Sequence, residues 1–194
     1  AKVGDLYKYE IKIKGGKTKY QTDPYGASIE FPPARASIVA DVSEFVWEDG
    51  SWMKDRKKYA DRKQPLSIYE TSMDQWKDGA ELAEYAGKMG YTHVELHPVM
   101  AYLDDAAGPY STYGYYALDR RLGAPADFQK FVNELHKAEV GVILDWTPAA
   151  FPREEGGLEL FDGTPLYEKP DPSMAVHPMW GTLLYNYESP MVKD

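Results

Sequence analysis

The chain contains no cysteine, so its 194 residues hold no disulfide framework and no thiolate chemistry. Positive charge is also in short supply. Lysine and arginine number 22 against 31 aspartates and glutamates, a net charge of −9. Phosphate recognition needs a basic surface, so nucleic acid is not an expected partner. No apolar run approaches the roughly 20 residues of a membrane-spanning helix. The opening AKVGDLYKYE lacks a signal-peptide pattern, and the expectation is a cytoplasmic protein with no membrane partner. What the sequence does have is tyrosine: 16 Tyr beside 5 Trp. Flat rings with polar edges suit either ordinary packing or stacking on sugar faces.

Two textures run along the chain. In the first, Leu6 to Lys14 alternates with period two, as a half-exposed strand does. Gly15-Gly16 marks a tight turn, and Lys17 to Thr22 reads as the return strand. Asp23-Pro24-Tyr25-Gly26 is a turn, and Ser37 to Val42 a further short strand. So small a β-element is barely stable alone, so residues 1–43 read as the end of a larger β-domain. Residues 44–64, with Trp47, Trp52 and basic residues from Lys54 to Lys63, form a connector. Its charge reads as a solvated helix face, and Asp49-Gly50-Ser51 as a helix start.

The second texture begins at Pro65. Leu66 to Glu70 reads as a strand; Leu82, Tyr85, Ala86 and Met89 share a helical face, with Gly90 as its stop. Thr92 to Leu96 is the next strand. A Gly-, Pro- and Tyr-rich loop over 98–123 leads to Pro125, a good helix start. Phe128, Phe131, Val132 and Leu135 line that helix, and Gly141 to Leu144 is a third strand; the chain after Phe151 is loop-like. The order β-α-β-α-β implies an α/β fold with a parallel sheet and right-handed crossovers. In such folds the loops after the strand carboxyl ends build the working site. That expectation puts 98–123 and 145–190 on one face.

Several constellations are weighed and set aside. His93, Glu95 and His97 share one face of a strand, but the helical zinc motif has another spacing, so no metal or cofactor is expected. No glycine-rich phosphate loop and no nucleophile elbow occurs. The acid pairs Asp104-Asp105 and Glu154-Glu155 read as solvated surface. The cluster Tyr110-Ser111-Thr112-Tyr113-Gly114-Tyr115-Tyr116 lies on the expected working face, where stacking on a glucan or packing of the loop are both open.

From Pro65 onward the text resembles the 1,4-α-glucan branching enzymes of the α-amylase superfamily. The residues carrying the likeness are Ser67-Ile68-Tyr69-Glu70, Gly90-Tyr91-Thr92-His93-Val94-Glu95-Leu96, Gly114-Tyr115-Tyr116-Ala117 and Gly141-Val142-Ile143-Leu144-Asp145-Trp146. Leu160-Phe161-Asp162-Gly163-Thr164 and Trp180-Gly181-Thr182-Leu183 extend it. Gly4 to Tyr9 and Asp23 to Gly26 resemble the end of the family's preceding β-sandwich. The resemblance implies the first three β/α units of a TIM-type (β/α)8 barrel over 65–194, after a sandwich module (1–43) and a connector (44–64). It implies transfer of an α-1,4-glucan segment to a 6-hydroxyl with retention, through two carboxyl groups about 5 Å apart. In the family these follow strands four and five, beyond Asp194, so no catalytic residue is assigned here and the chain alone is expected to be inactive. Asp145 matches the supporting acid of strand three, and Tyr110 the tyrosine that stacks beside the cleavage point. Tyr113 and Trp146 complete the expected glucan contacts. The chain departs from the family at Gly108-Pro109-Tyr110-Ser111, where Trp-Gly-Tyr-Gln is usual, and at Ala150, where a histidine touches substrate. A non-catalytic glucan-binding module, or a degenerate paralogue, is the alternative. A three-stranded partial barrel leaves an open edge, through which self-association is expected.

Overall fold

The computed structural model describes residues 1–60 and 64–194. They form two compact units, each assembled from separated stretches of chain.

One unit comprises Asp41–Val99 and Arg121–Trp146. Its centre is a parallel sheet of three strands: strand one (Ile68–Thr71), strand two (His93–Leu96) and strand three (Gly141–Leu144). Strand two lies in the middle, with Tyr69, Val94 and Val142 in one row and Glu70, Glu95 and Ile143 in the next. The crossover helices are those the periodicity predicts. Gly79–Met89 starts on Asp78, whose carboxylate accepts from Glu81 N at 3.0 Å, and stops at Gly90 in the left-handed region, φ 78°. Leu82, Ala83 and Ala86 are buried, whereas Met89, on the expected apolar face, is exposed in the last turn. Pro125–Lys137 opens with proline, which has no N–H to leave unpaired there. Phe131 and Leu135 are buried. Asn133 is buried among them, its side chain accepting from Glu48 N at 2.8 Å.

The amino ends of the strands are closed by an aromatic group that the connector supplies. Trp52, on the helix Gly50–Asp55, is buried; its ring stacks on His136 and meets His93 edge-on. Tyr59 stacks on Trp52 from the other contact and also meets His93. Burial lowers the His93 pKa. Asp49 does precede this helix, yet its carboxylate does not cap it. It pairs with His136 Nδ1 at 2.9 Å instead. The basic run ends in residues outside the described ones, from position 61 to 63.

The other unit comprises Ala1–Ala40, Met100–Arg120 and Thr147–Asp194. The period-two run at its start is divided between two small sheets. Leu6–Tyr7 pairs with Ser37–Ile38, and Tyr9–Lys12 with Thr18–Gln21 around the Gly15-Gly16 turn, both glycines at positive φ. The strand expected over Ser37 to Val42 therefore stops at Ile38. The tract 98–123, expected as loop, contains a hairpin: Met100–Tyr102 pairs with Thr112–Leu118, with two register shifts. Threonine and tyrosine favour strands, and here that preference outweighs the Gly and Pro between them. The chain after Phe151 is also less irregular than expected, since Ala150–Phe151 pairs with Leu183–Leu184.

Polar contacts hold this unit together as much as apolar ones. Gln21, fully buried, donates to Gly157 O and Phe161 O. Glu168 is buried and accepts from Leu160 N and Tyr167 N. Glu154, expected on solvated surface, pairs with Arg35, whose guanidinium also donates to Leu103 O and lies over the Tyr113 ring. Tyr115 O–H faces two carbonyls, Thr147 O at 3.1 Å and Ala150 O at 3.0 Å, and so fixes the start of the third stretch. Burial pushes the Tyr115 pKa up to about 12.

Two outcomes test this packing. A Cβ on Gly79 would stand 2.4 Å from Phe131 O, so Gly79→Ala is expected to cost about 1–3 kcal/mol in urea denaturation. Gly50→Ala meets open space at a helix start and is expected to gain about 0.5 kcal/mol or change nothing. The raised Tyr115 pKa implies that the folded chain holds a proton that the unfolded chain releases from pH 10 upward. Stability is then full below pH 10 and falls as pH rises toward about 12. Tyr115→Phe, compared by denaturation midpoint at about pH 9 and about pH 11, is expected to be less stable at the lower pH and to lose less on the way up.

Candidate functional site

Alternation along a strand sends successive side chains to opposite faces, and in-register parallel pairing carries each row straight across the sheet. Tyr69, Val94 and Val142 therefore share one face with Thr71, Leu96 and Leu144. Val94 and Leu96 are fully buried there, and the Tyr69 ring contacts Trp76, Tyr85 and Tyr91. This is the face the helices cover. Ile68, His93 and Gly141, then Glu70, Glu95 and Ile143, belong to the opposite face.

The ladder does not end with the strands. His97 N donates to Thr71 O at 2.9 Å, and Asp145 N donates to Leu96 O at 3.0 Å. These two bonds keep His97 and Asp145 in step with the second face, one row beyond Glu95 and Ile143. The carboxyl end of that face thus carries Glu70, Glu95, His97 and Asp145. His97 Nε2 meets Glu70 Oε1 at 3.1 Å. Strand one is pinned at its last residue, where Thr71 Oγ1 donates to Gln75 and accepts from Trp76 Nε1. Chemically this end offers acceptors for hydroxyl donors and one imidazole whose partner is a carboxylate. Of the three residues weighed as a metal set, His93 turns to the Trp52 and Tyr59 rings at the amino end, while His97 bonds Glu70 at the other. Among the described residues no group of three or more His, Cys, Asp or Glu side chains is arranged to hold a metal ion.

The four residues singled out from the sequence fall in different places. Asp145 and Trp146 close the parallel-sheet unit, and the Trp146 side chain is largely exposed. Tyr110 and Tyr113 belong to the other unit. Tyr110, in the turn of the Met100–Tyr102/Thr112–Leu118 hairpin, is 51% exposed. Tyr113 is buried: its hydroxyl shares a hydrogen bond with Thr22 Oγ1 at 3.1 Å, and burial raises its pKa. Ala150 is buried in the short strand opposite Leu184. The Glu70–His97 pair was not singled out beforehand. Its signal is the parity of strands one and two, which becomes readable once their register is known.

No protein-family model matches the chain. It is 43% identical over 205 residues to the 1,4-alpha-glucan branching enzyme GlgB of Cellvibrio japonicus, a match covering 98% of this chain and 28% of that enzyme. The GlgB of Rubrobacter xylanophilus is 45% identical over 197 residues, covering 95% of the chain and 27% of the relative. Among solved structures, the pullulanase of Bacillus acidopullulyticus superposes with a TM-score of 0.71 at 17% identity, over 98% of this chain and 28% of that one. A maltotriose complex of the Anoxybacillus pullulanase gives 0.66 at 18% identity, over 98% and 32%. These likenesses establish a fold related to the α-amylase-type barrel. Over nearly its whole length the chain is similar to GlgB 1,4-alpha-glucan branching enzymes, and it spans somewhat over a quarter of the length of the relatives it matches.

Proposed function

We propose that the chain is the part of a branching enzyme that leads into the catalytic barrel and supplies its first three β/α units. On this reading residues 1–43 end a β-sandwich module, 44–64 connect, and 65–194 begin a (β/α)8 barrel. The whole protein transfers α-1,4-glucan segments to 6-hydroxyls with retention, in the cytoplasm. The observation that carries the reading is the position of Asp145, whose N–H donates to the Leu96 carbonyl and sets it in step with Glu70, Glu95 and His97 at the end of strand three. There it serves as a supporting acid, orienting a catalytic pair supplied by later strands rather than forming a bond to sugar. Tyr110 and Trp146 offer exposed rings to glucan, while Tyr113, buried on Thr22 and Arg35, supports the hairpin from within. The 194 residues alone are proposed to bind α-glucan without transferring it.

A second reading, a glucan-binding relative without catalysis, is favoured by Ala150. A buried alanine in a strand has no group to donate to a sugar hydroxyl. Removing such a donor from a transition-state contact typically costs about a hundredfold in rate. Both readings leave the edges of the sheet open, with Ile68 and Leu144 each 42% exposed. Self-association through them is part of the proposal.

Calorimetric titration with maltoheptaose tests the binding claim. The chain is expected to bind it, and Tyr110→Ala to weaken binding about tenfold while leaving the far-ultraviolet dichroism unchanged. Absence of heat at millimolar sugar would remove the proposal. Light scattering across concentrations tests association, which is expected to weaken when Leu144→Lys places a charge on the edge strand.

A further inference from the structure

We propose that Tyr25 and Tyr116 form a second α-glucan-binding site, separate from Tyr110 and backed by the Asp23–Tyr7–Tyr9 hydrogen-bond cluster. The proposal rests on the glucan reading above. Both rings are among the most exposed large side chains of their unit, Tyr25 at 70% and Tyr116 at 63%. They nonetheless contact each other, with centroids 5.2 Å apart at 35°. One comes from the Asp23–Gly26 turn and the other from the Thr112–Leu118 strand, so two separately anchored backbones hold a tilted pair of rings in place. The turn is closed by Gly26 N to Asp23 O and by Tyr25 N to Asp23 Oδ1. Tyr115, next to Tyr116, turns inward to the Thr147 and Ala150 carbonyls. Alternation along the strand then sends Tyr116 outward.

The polar surroundings indicate the chemistry of the ligand. Asp23 Oδ2 accepts hydrogen bonds from two phenols, Tyr7 at 2.7 Å and Tyr9 at 3.1 Å. The Tyr7 oxygen is engaged by Ser37 as well, whereas the exposed Tyr9 oxygen, its proton committed, has only lone pairs left to offer and so accepts from a ligand's hydroxyls. The Tyr7 pKa is pushed up to about 12, by burial first and then by Asp23, which keeps that proton in place. Tyr167 belongs to the same neighbourhood, since Tyr25, Asp162 and Asp23 all contribute to raising its pKa after burial. A carboxylate at the centre disfavours phosphate, hence nucleic acid and phospholipid. Tilted rings that offer apolar faces beside hydroxyl acceptors fit a neutral polyol with flat C–H faces, a chain of pyranoses.

Native electrophoresis of the 194-residue chain through gels with and without glycogen tests the site. The chain is expected to be retarded by glycogen, Tyr116→Ala to lose about fivefold in apparent affinity, and Tyr116→Trp to retain or tighten it. Tyr9→Phe, which keeps the ring and removes the acceptor, is expected to lose about twofold. Tyr116 is exposed, so dichroism should stay native in all three. If Tyr116→Ala is retarded like the parent while Tyr110→Ala is not, the second site is overturned and the glucan reading stands. If the parent itself is not retarded, both fall. If Tyr116→Ala instead abolishes self-association in the absence of sugar, the ring pair is a protein contact and the proposal is overturned.

Discussion

The donation of Asp145 N to Leu96 O is a small interaction on which much of the parallel-sheet unit's meaning depends. A strand has a period of two, so a slip of one residue would exchange every side chain between the faces. The register Tyr69–Val94–Val142 commits one face to the helices, and burial of Val94 and Leu96 enforces it. The acids then have one face left. Because the ladder runs one residue beyond Leu144, Asp145 inherits that face as well. A parallel sheet also needs a long crossover between neighbours, and the two helices Gly79–Met89 and Pro125–Lys137 supply it while covering the apolar side. Glu70, Glu95, His97 and Asp145 thereby share the carboxyl end of the other face.

The other unit is governed by a different economy. Its sheets have two strands each, too few to bury a large apolar surface. Its interior is correspondingly stitched by buried polar side chains whose partners are main-chain groups: Gln21 on Gly157 and Phe161, Glu168 on Leu160 and Tyr167, Tyr115 on Thr147 and Ala150. Each is a group that would be costly to bury unpaired. Tyrosine serves this design on both sides. Tyr113 and Tyr115 use a large ring and a terminal hydroxyl to tie loops inward, and Tyr25, Tyr110 and Tyr116 present the same ring to solvent. The abundance of tyrosine thus has two uses, tying loops inward and facing solvent, and only the exposed share enters the binding proposals.

What was legible in the sequence was local. Apolar spacing located both crossover helices; Gly90 and Pro125 marked an end and a start; the order of elements gave a parallel sheet. What escaped was decided by distant partners. Asp49 stands where a helix cap belongs, but its carboxylate pairs with His136 from another segment instead. Trp52, read as part of a connector, becomes buried because His93 and His136 from two distant segments, with Tyr59 of the connector itself, converge on it. The hairpin within 98–123 was hidden because its register shifts break the alternation that reveals strands. Glu154 reads as surface until Arg35 arrives from 119 residues away. At the candidate site, Asp145 and Tyr110 were visible through family likeness, whereas the Glu70–His97 pair needed the register, and burial separated Tyr113 from Tyr110.

The central proposal is a division of labour, in which these residues hold glucan and orient a supporting acid while carboxylates on later barrel strands of the whole protein exchange the bond. An iodine-absorbance assay of amylose incubated with the 194-residue chain, at a concentration shown to bind maltoheptaose, tests it most directly. The account predicts an absorbance that stays constant with time. A progressive fall, accompanied by new chain ends released on debranching, would contradict it.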